Sequence, residues 1–362
     1  MSKRFLVMAG GTGGHVFPAL ATARMLQQLG HEVQWLGSRG GMEERLVKAA
    51  DMPVTLIRVS GLRGKGRLAL AGAPFTLVSA VWQASALLRR ARIDCVIGMG
   101  GFASGPGGLA AWLMRKPLVI HEQNAVAGLT NRVLSRFATT VLEAFPKSFG
   151  PNVVTRLTGN PVRREFSLIE PPPQRFAARA GQPLRLLVLG GSLGAQAINA
   201  MVPEALALLA ADARPQVRHQ AGERHLAKTQ EDYEKRGITA EVVPFIEDID
   251  AAYGWADLVL CRAGALTIAE LCAAGVGAIL VPFPHAVDDH QTRNGKFMVD
   301  GEAALMVAQS ELEPNALAGI LSEFASDRPR LLVMAEAARK LARPDATERV
   351  VNYCLEAANA SQ

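Results

Sequence analysis

Two glycine-rich segments of the sequence have the composition of anion-binding turns. The first reads Gly-Gly-Thr-Gly-Gly over residues 10–14, and the second contains Gly190, Gly191, Ser192 and Gly194. Glycine lets the backbone bend sharply and approach a ligand, while the amides at the start of the following helix point at it. The hydroxyl of Ser192 adds a donor for a phosphate oxygen. Both turns predict phosphate or pyrophosphate sites, and tight helix-on-strand packing is the alternative role for their glycines.

Neither turn matches the dinucleotide-binding fingerprint. In the first turn, Gly11-x-Gly13 is followed three residues later by Val16, and the second turn contains no Gly-x-Gly. An acidic residue that would bind ribose is also missing from the end of the second predicted strand, where Arg39 lies instead. An NADP site that uses Arg39 is disfavoured but stays open.

A third segment, residues 262–283, combines backbone donors with a carboxylate. It is predicted to form a loop, a helix that starts near Ala265 and a buried strand. Amides at Ala265, Leu266 and Thr267 would face a pyrophosphate, and Glu270 could accept hydrogen bonds from two ribose hydroxyls. Because the neighbours of Glu270 in this helix are apolar, a buried functional carboxylate is favoured over a surface one.

The elements that must position these residues alternate regularly along the chain. Short apolar runs are followed by amphipathic stretches in both halves, which is typical of a parallel sheet covered by helices on both faces. The expected fold class is therefore α/β, with two Rossmann-like, doubly wound parallel-sheet domains. The predicted strands lie at residues 4–9, 32–36, 54–58, 93–97, 117–120, 138–142, 184–189, 216–220, 240–244, 257–261, 277–281 and 304–308.

Length and proline content indicate where the two domains meet. A chain of 362 residues exceeds the usual size of one hydrophobic core. Prolines between residues 160 and 183 interrupt any periodic pattern, and the strand-to-glycine-turn unit at 5–15 restarts at 186–195. We expect an N-terminal domain at 1–163 and a C-terminal domain at 164–340. The helix predicted within 341–362 could belong to either domain.

Charge and cysteine content limit the partners and the compartment. A net charge of +6 favours an anionic partner, either nucleic acid, acidic lipid or a phosphorylated small molecule. The four cysteines form no Cys-x-x-Cys pair, so a zinc site and a disulfide framework are both disfavoured and a reducing cytoplasm is expected. The apolar run near the N-terminus stops at Gly10, which is too short for a signal-peptide core.

Seven segments of the sequence together resemble the MurG family, in the family's order and over nearly the whole chain. The resemblance implies a GT-B fold with two domains that face each other across a cleft. It also implies an inverting hexosyltransferase of peptidoglycan synthesis, which moves N-acetylglucosamine from UDP-GlcNAc to the 4-hydroxyl of MurNAc in undecaprenyl-pyrophosphoryl-MurNAc-pentapeptide. The segments are GGTGGHVFPAL at 10–20, GMGGFASGPGG at 98–108, HEQN at 121–124, GNPVR at 159–163, GGSLGA at 190–195, RAGALTIAEL at 262–271 and residues 291–294.

Site residues follow from the matched motifs. The resemblance implies that Arg163 lies beside the diphosphate, that Ile246 meets uracil through its backbone, and that Gln291 contacts sugar hydroxyls. His290, the neighbour of Gln291, stands where some relatives carry glutamine. The residues implied for UDP-GlcNAc are Thr12, Gly13, Gly14, Asn124, Arg163, Ser192, Ile246, Ala265, Leu266, Thr267, Ile268, Ala269, Glu270 and Gln291.

An inverting transfer needs a base near the acceptor hydroxyl and charge stabilisation at the departing UDP. His15, beside the first glycine turn, is the best candidate, because a helix N-terminus lowers the pKa of a histidine and keeps it neutral. A purely orienting role for His15 is equally open, with Glu122 or Asp289 as other possible bases.

No tightly bound metal or other cofactor is expected. The Asp248-Ile249-Asp250 sequence has the spacing of a cation site found in a different glycosyltransferase fold. It precedes an amphipathic stretch, however, where carboxylates satisfy free amides at a helix start. We therefore interpret Asp248 as a helix cap.

Residues 68–88 carry no charge and are long enough to span a bilayer. A transmembrane helix would break the first domain, so a buried domain helix with one membrane-facing side is preferred. Phe75 and Trp82 could enter a membrane interface while Arg89, Arg90 and Arg92 meet anionic headgroups. Together with the lipid acceptor that the resemblance implies, this patch predicts peripheral attachment to the cytoplasmic face of the inner membrane, with no nucleic-acid partner.

The glycine cluster at 98–108 follows a predicted strand, and its amides could hold the pyrophosphate of the lipid acceptor. The candidates are Gly100, Gly101 and Gly105, and a flexible loop with packing glycines is the alternative. Three other functions also stay open at this stage: a nucleotide-sugar epimerase, an NADP-dependent oxidoreductase and a non-catalytic membrane adaptor.

Overall fold

A computed structural model of the chain describes residues 2–59, 67–191 and 194–360. The chain divides into two compact units, each built on one parallel sheet. The first unit contains the chain up to Val162 and the segment from Asp345 onward, and the second is Arg163–Pro344. The predicted pair of Rossmann-like α/β domains is confirmed.

All strands in the described residues pair in parallel. The strands are β1 Arg4–Met8, β2 Glu32–Ser38, β3 Val54–Ile57, β4 Cys95–Gly98, β5 Leu118–Glu122, β6 Thr140–Glu143, β7 Arg156–Leu157, β8 Arg185–Leu189, β9 Gln216–Gln220, β10 Glu241–Val243, β11 Leu258–Cys261, β12 Gly277–Leu280 and β13 Ala304–Met306. Each predicted strand is present with ends within two residues of the prediction. The two-residue strand β7 was not predicted, because so short a segment has no detectable periodicity.

The α-helices alternate with the strands. They are α1 Gly13–Gln28, α2 Met42–Ala49, α3 Arg67–Arg90, α4 Ser104–Leu113, α5 Leu129–Leu134, α6 Glu165–Leu168, α7 Pro172–Ala177, α8 Gln196–Ala207, α9 Leu226–Glu234, α10 Ile249–Trp255, α11 Ala265–Ala274, α12 His290–Asp300, α13 Pro314–Ser326, α14 Arg328–Leu341 and α15 Ala346–Asn359. The proline-rich segment that we expected between the domains carries α6 and α7. Helix α7 is possible there because Pro172 occupies its first turn, where a missing amide costs nothing.

The first sheet has the order β3-β2-β1-β4-β5-β6-β7 and is covered on both faces. Alternate residues of β1 enter two different cores. Phe5 and Val7 pack with residues of α1 and α15, whereas Leu6 and Met8 pack with residues of α3 and α4. The C-terminal helix, which the sequence left between the two domains, thus lies on the first sheet.

The second sheet has the order β10-β9-β8-β11-β12-β13. Its core contains alternate residues of β8, such as Leu186 and Val188, packed with Ile198 and Val202 of α8 and with buried residues of α13 and α14. In both sheets the strand order reverses next to the first strand of the unit, between β1 and β4 and between β8 and β11. Crevices at such reversal points, outside the carboxyl ends of the strands, are the usual ligand sites of open α/β sheets. Both glycine turns directly follow β1 and β8.

The uncharged segment at 68–88 lies within helix α3. Ala80, Ala84, Leu87 and Leu88 form its buried face and belong to one of the two cores of the first sheet. Across the described part of the chain, no helix combines the length and the apolar character that crossing a membrane requires. The interpretation as a domain helix is therefore supported over a transmembrane helix.

Two glycines of α4 offer a matched test of the packing on this sheet. A Cβ atom at Gly107 would lie 2.2 Å from Sδ of Met8 and 2.9 Å from Cδ2 of Leu36, both of which are buried. We expect Gly107→Ala to lower the free energy of unfolding by about 1–3 kcal/mol, in spite of the better helix propensity of alanine. A Cβ atom at Gly105 would make only an ordinary contact, 3.7 Å from Thr130. In urea unfolding, Gly105→Ala should be neutral or stabilising, and equal effects of both variants would contradict this packing.

Candidate active site

The first glycine turn forms the link between β1 and α1. Gly11 has a φ of +91°, a conformation that glycine adopts without strain. Helix α1 then begins at Gly13, and the amides of His15 and Val16 both donate to the carbonyl of Thr12. Thr12 is exposed and residues 13–15 are half-buried, so the start of α1 is open to a ligand.

The second glycine cluster of the first unit packs directly against this turn. A Cβ atom at Gly100 would lie 2.7 Å from Cδ2 of His15, and one at Gly101 would lie 2.5 Å from the carbonyl oxygen of Gly10. Both glycines have positive φ, at +89° and +86°. The structure therefore brings together His15, Gly100 and Gly101, which the sequence analysis had assigned to separate turns.

Ser104 connects the loop after β4 to the end of β1 through hydrogen bonds. Its buried hydroxyl donates to the carbonyl oxygen of Gly100 at 2.7 Å, with the carbonyl oxygen of Met8 at 3.1 Å. The amide of Met99 also donates to Met8. Further along, Gly107 and Gly108 pack against core side chains, as the packing alternative predicted, whereas Gly105 has room around it. The glycines of the loop after β4 thus allow close approach to the first turn, and Gly107 and Gly108 of α4 allow packing on the core.

Asn124 is held by a buried carboxylate at the end of β5. Glu122 accepts hydrogen bonds from the backbone and side-chain nitrogens of Asn124 at 3.0 and 3.2 Å, from the amide of Gly128 at 3.1 Å and from Asn131 Nδ2 at 2.9 Å. A carboxylate that already accepts four hydrogen bonds is poorly suited to remove a proton from a substrate. We infer that Glu122 orients Asn124, which disfavours it as the general base.

His121, from the same motif, is a structural residue. Nε2 of His121 lies 3.0 Å from the carbonyl oxygen of Gly159, so it donates there, and Nδ1 accepts from Gln123 at 3.0 Å. Burial lowers the pKa of His121 to about 4, so the ring is neutral. The side chain of Asn160 donates to the carbonyl of Gln123 at 3.0 Å. The segments HEQN and GNPVR are therefore joined through hydrogen bonds within the first unit.

The second glycine turn, after β8, has the same backbone character as the first. Gly191 and Gly194 have φ values of +75° and +76°. The amide of Gly190 donates to the carbonyl of Gln220 at 3.0 Å, and a Cβ atom at Gly194 would lie 2.5 Å from the carbonyl oxygen of Ala221. Ser192, the predicted phosphate donor, lies outside the described residues.

Helix α11 begins next to this turn, because β8 and β11 are neighbours. The amide of Ile268 donates to the carbonyl of Gly264 at 2.9 Å, and Gly264 provides no side-chain cap. The first turn of a helix contains amides with no acceptor inside the helix, here at Leu266 and Thr267. These amides and the helix dipole favour an anion at the carboxyl edge of the second sheet. The predicted start of this helix at Ala265 is confirmed.

Glu270 lies one turn inside α11, in a cluster that also contains a buried tyrosine. The hydroxyl of Tyr253 donates to Oε2 of Glu270 at 3.3 Å. Burial raises the pKa of Glu270 to about 7, against opposing effects of the Tyr253 hydrogen bond and the positive charge of Arg163. The side chain of Glu270 is half-buried, so the expectation of a buried carboxylate is met in part. Tyr253 was not singled out in the sequence, because it lies in a separate helix, α10, whose neighbourhood to α11 is a tertiary feature.

Arg163 is placed beside the same cluster. Its Nη2 lies 3.2 Å from Oδ1 of Asp250, and its guanidinium lies over the ring of Phe166, 5.1 Å from the centroid. The neighbouring Asp248 accepts a hydrogen bond from the amide of Ala251 at 3.2 Å, at the start of α10. The predicted helix cap at Asp248 is confirmed, and Asp250 pairs with Arg163.

The remaining predicted contacts lie in the loop after β10 and at the start of α12. Ile246 is partly buried between β10 and α10. Oε1 of Gln291 accepts from the amide of Phe283 at 2.9 Å, and this loop is held by Arg262, which donates to the carbonyl of Val281 at 3.1 Å. Asp289 accepts from Thr292 Oγ1 at 2.6 Å. That bond is typical of a helix start and disfavours Asp289 as a base.

Comparison with known proteins identifies relatives over the whole chain. A model described as the glycosyltransferase family 28 N-terminal domain matches residues 5–143, and the corresponding C-terminal domain model matches residues 185–350. A protein of Marinobacter nauticus is 67% identical over 357 residues, 99% of this chain and 98% of its own length. A relative from Pseudomonas fluorescens is 54% identical, over 99% of this chain and all of its own length. Both are named UDP-N-acetylglucosamine--N-acetylmuramyl-(pentapeptide) pyrophosphoryl-undecaprenol N-acetylglucosamine transferase.

Solved structures of glycosyltransferases are also similar to this chain. The crystal structure of MurG from Acinetobacter baumannii superimposes with a TM-score of 0.86 and 42% identity, over 98% of this chain and 99% of that one. A glycosyltransferase from Rickettsia africae gives a TM-score of 0.68 at 13% identity, over 98% of both chains, which shows a common fold alone.

The raised pKa of Glu270 has a measurable consequence for stability. The carboxyl of Glu270 has a pKa of about 7 in the folded protein and 4.5 in the unfolded chain, so the folded protein binds the proton more tightly. The free energy of unfolding of the wild type therefore falls as the pH rises from 4.5 through about 7. We therefore expect Glu270→Gln to gain stability relative to the wild type between pH 5 and pH 8 in urea unfolding. Glu234→Gln, at an exposed position of α9, should show no such gain. A stability difference that is the same at both pH values would contradict the assignment.

Proposed function

This chain belongs to the MurG family within glycosyltransferase family 28, and on that premise we propose that it transfers N-acetylglucosamine from UDP-GlcNAc to the 4-hydroxyl of MurNAc in undecaprenyl-pyrophosphoryl-MurNAc-pentapeptide. The observation that carries the proposal is the start of α11 with Glu270 one turn inside it. A row of helix-start amides beside a half-buried carboxylate suits a nucleoside diphosphate, which joins an anionic pyrophosphate to a ribose with two hydroxyl donors.

The donor is assigned to the second unit. Amides at the start of α11, from Ala265 to Thr267, and the turn that contains Ser192 would face the pyrophosphate, with Arg163 supplying positive charge. Ile268 and Ala269 complete this first part of the helix beside the donor. Glu270, oriented by Tyr253, would accept hydrogen bonds from the ribose hydroxyls. Ile246 would meet uracil through its backbone, and Gln291 would contact hydroxyls of the transferred sugar.

The acceptor is assigned to the first unit. Thr12, Gly13, Gly14 and Asn124 would line the transfer site. Gly100 and Gly101, with Gly105 beside them, are our candidates for the pyrophosphate of the lipid, because the loop after β4 meets the first turn at the reversal point of the sheet.

His15 is our candidate for the base. In the proposed step, Nε2 or Nδ1 of neutral His15 accepts the proton of the MurNAc 4-hydroxyl while that oxygen attacks C1 of the sugar from the face opposite UDP. The bond from C1 to the UDP oxygen breaks, and the leaving diphosphate keeps the electron pair. The helix-start amides of α11 and Arg163 stabilise the charge that develops on UDP. These groups supply the stabilisation that a cation would otherwise provide, so no tightly bound metal is proposed.

A transfer assay tests the function as a whole. We expect the purified chain, given labelled UDP-GlcNAc and the lipid-linked MurNAc-pentapeptide acceptor, to move label into the lipid phase, both with and without a chelator. A product that stays in the aqueous phase as a free or epimerised sugar would overturn the proposed acceptor. Dependence on added cation would overturn the metal-free step.

His15→Ala tests the base. We expect kcat to fall by roughly 10²–10⁴-fold, the usual contribution of a general base, while the Kd of UDP-GlcNAc stays unchanged because the donor is held by the second unit. Asn124→Ala is the comparison, since it should weaken sugar positioning without removing a proton acceptor. Near-normal turnover in His15→Ala would remove His15 from the mechanism.

We also propose that the exposed side of α3 attaches the protein to the cytoplasmic face of the inner membrane. Phe75 and Trp82 are 81% and 71% exposed, and Leu77 and Val78 are exposed beside them. Arg89 and Arg90 end the same helix, and Arg92 follows it. Large exposed apolar side chains close to cations are typical of peripheral membrane contact.

Liposome binding tests this patch. Each arginine near an anionic surface contributes about 1 kcal/mol, so replacing Arg89, Arg90 and Arg92 with alanine should weaken binding to anionic vesicles at least ~10-fold at low salt. A control variant with the same loss of charge, at the exposed positions Arg24, Arg45 and Arg343, should bind nearly as well as the wild type. Equal loss in both variants would show a net-charge effect and contradict a specific patch.

A further inference from the structure

A buried carboxylate lies beneath the first glycine turn. Glu43 is the second residue of α2 and has no exposed surface. Its Oε1 accepts hydrogen bonds from the amide of Ser38 at 2.9 Å and from the hydroxyl of Ser38 at 2.6 Å, and its Oε2 accepts from the amide of Gly11 at 3.2 Å. This one side chain therefore joins the end of β2 to the turn that follows β1.

The glycines around Glu43 are needed to make room for it. Cβ atoms at Gly10, Gly37 and Gly41 would lie 2.3, 2.8 and 2.2 Å from atoms of the Glu43 side chain, much closer than any real contact. Gly10 is also the residue against which Gly101 packs. Some glycines of the first turn thus serve an internal carboxylate, and the donor of Gly11 is directed at Glu43 and not at a ligand.

Glu43 is held in its ionised form. Burial by itself would raise the pKa of this carboxyl, but hydrogen bonds from the hydroxyl and amide of Ser38, from its own amide and from the amide of Gly11 outweigh burial and keep the pKa below 4.5. The start of α2 adds a favourable helix dipole. A glutamine in this place would turn one of its NH₂ donors toward a group that also donates, so it cannot replace the carboxylate.

We propose that Glu43 is a positioning residue for transfer: it fixes the Gly10–Gly11 backbone, and through it the segment from Thr12 to His15 against Gly100. Because the amide of Gly11 donates to Glu43, it is not available to a diphosphate, which leaves the first turn to the uncharged sugar. This proposal deepens the proposed function, on which it rests, by separating the role of the first turn from that of the turn after β8.

The test compares Glu43→Gln with Glu44→Gln in the full chain. Glu44 is the adjacent residue of α2 and pairs with Lys48 at 2.9 Å on the surface. We expect Glu43→Gln to lower kcat at least ~10-fold, with the Kd of UDP-GlcNAc changed less than ~2-fold, and Glu44→Gln to behave like the wild type. In hydrogen–deuterium exchange, the peptide covering residues 5–15 should exchange faster in Glu43→Gln, while peptides of the second unit should be unchanged.

Each other outcome contradicts the proposal. Unchanged kcat and unchanged exchange of residues 5–15 in Glu43→Gln would overturn it, and so would a parallel loss of kcat, donor affinity and Tm, which indicates a general structural role. Should Glu43→Gln fail to fold, Ser38→Ala removes only the 2.6 Å hydroxyl bond and should lower kcat and speed exchange of the same peptide to a smaller degree. Because exchange is read without substrate, it decides the role of Glu43 even if the wild type transfers no sugar, a result that would overturn the proposed function alone.

Discussion

Both units depend on one constraint: the backbones of neighbouring parallel strands come into close contact where the strands end. Adjacent strands lie only about 4.7–4.9 Å apart, and at a reversal point their loops leave toward opposite faces of the sheet. Gly101 and Gly10 meet in this way after β4 and β1, at the reversal point of the first sheet. In the second sheet, Gly194 meets Ala221 after the neighbouring strands β8 and β9. Side chains at these positions would occupy the volume of the facing backbone. The glycines are thus required by sheet geometry, and the helices that follow these turns begin at the same edge of the sheet.

Three carboxylates, of which Glu43 and Glu122 are buried and Glu270 is half-buried, show how the surroundings decide the role of one chemical group. Glu122 accepts four hydrogen bonds, and Glu43 accepts two from Ser38 and one from Gly11 besides that of its own amide, so their acceptor capacity is used in holding loops. Glu270 accepts from Tyr253, and burial raises its pKa to about 7. A carboxylate that is desolvated but incompletely satisfied is costly in the free protein, and a ligand with two hydroxyls would supply the missing donors. This contrast supports the assignment of Glu270 to the ribose.

Helix α11 is held at its C-terminal end, opposite the proposed diphosphate site. Gly275 ends it in the left-handed conformation, and Arg175 and Arg339 donate to carbonyls of Ala274 and Gly275. The buried Asp257 accepts from Arg179 and Arg328, each at 2.8 Å, in the same unit. Arginine is suited to this task because its planar fork can satisfy several carbonyl oxygens at once. The cations at one end of the helix complement its dipole, while the amides at the other end face the proposed diphosphate.

The sequence by itself determined the two parallel α/β units, twelve strands, the start of α11 and the capping role of Asp248, because periodicity, glycine turns and capping residues act over a few neighbouring positions. It also indicated the family, because the matching motifs occur in the same order as in the MurG family. Glu43, Tyr253 and the contact of His15 with Gly100 were decided only by the tertiary structure. Each depends on which strands and helices become neighbours, and no local pattern records that Glu43 of α2 lies under a turn more than thirty residues earlier. The C-terminal helix is the clearest case: its amphipathic pattern showed that it would pack, but only the completed first sheet offered the apolar face that α15 covers.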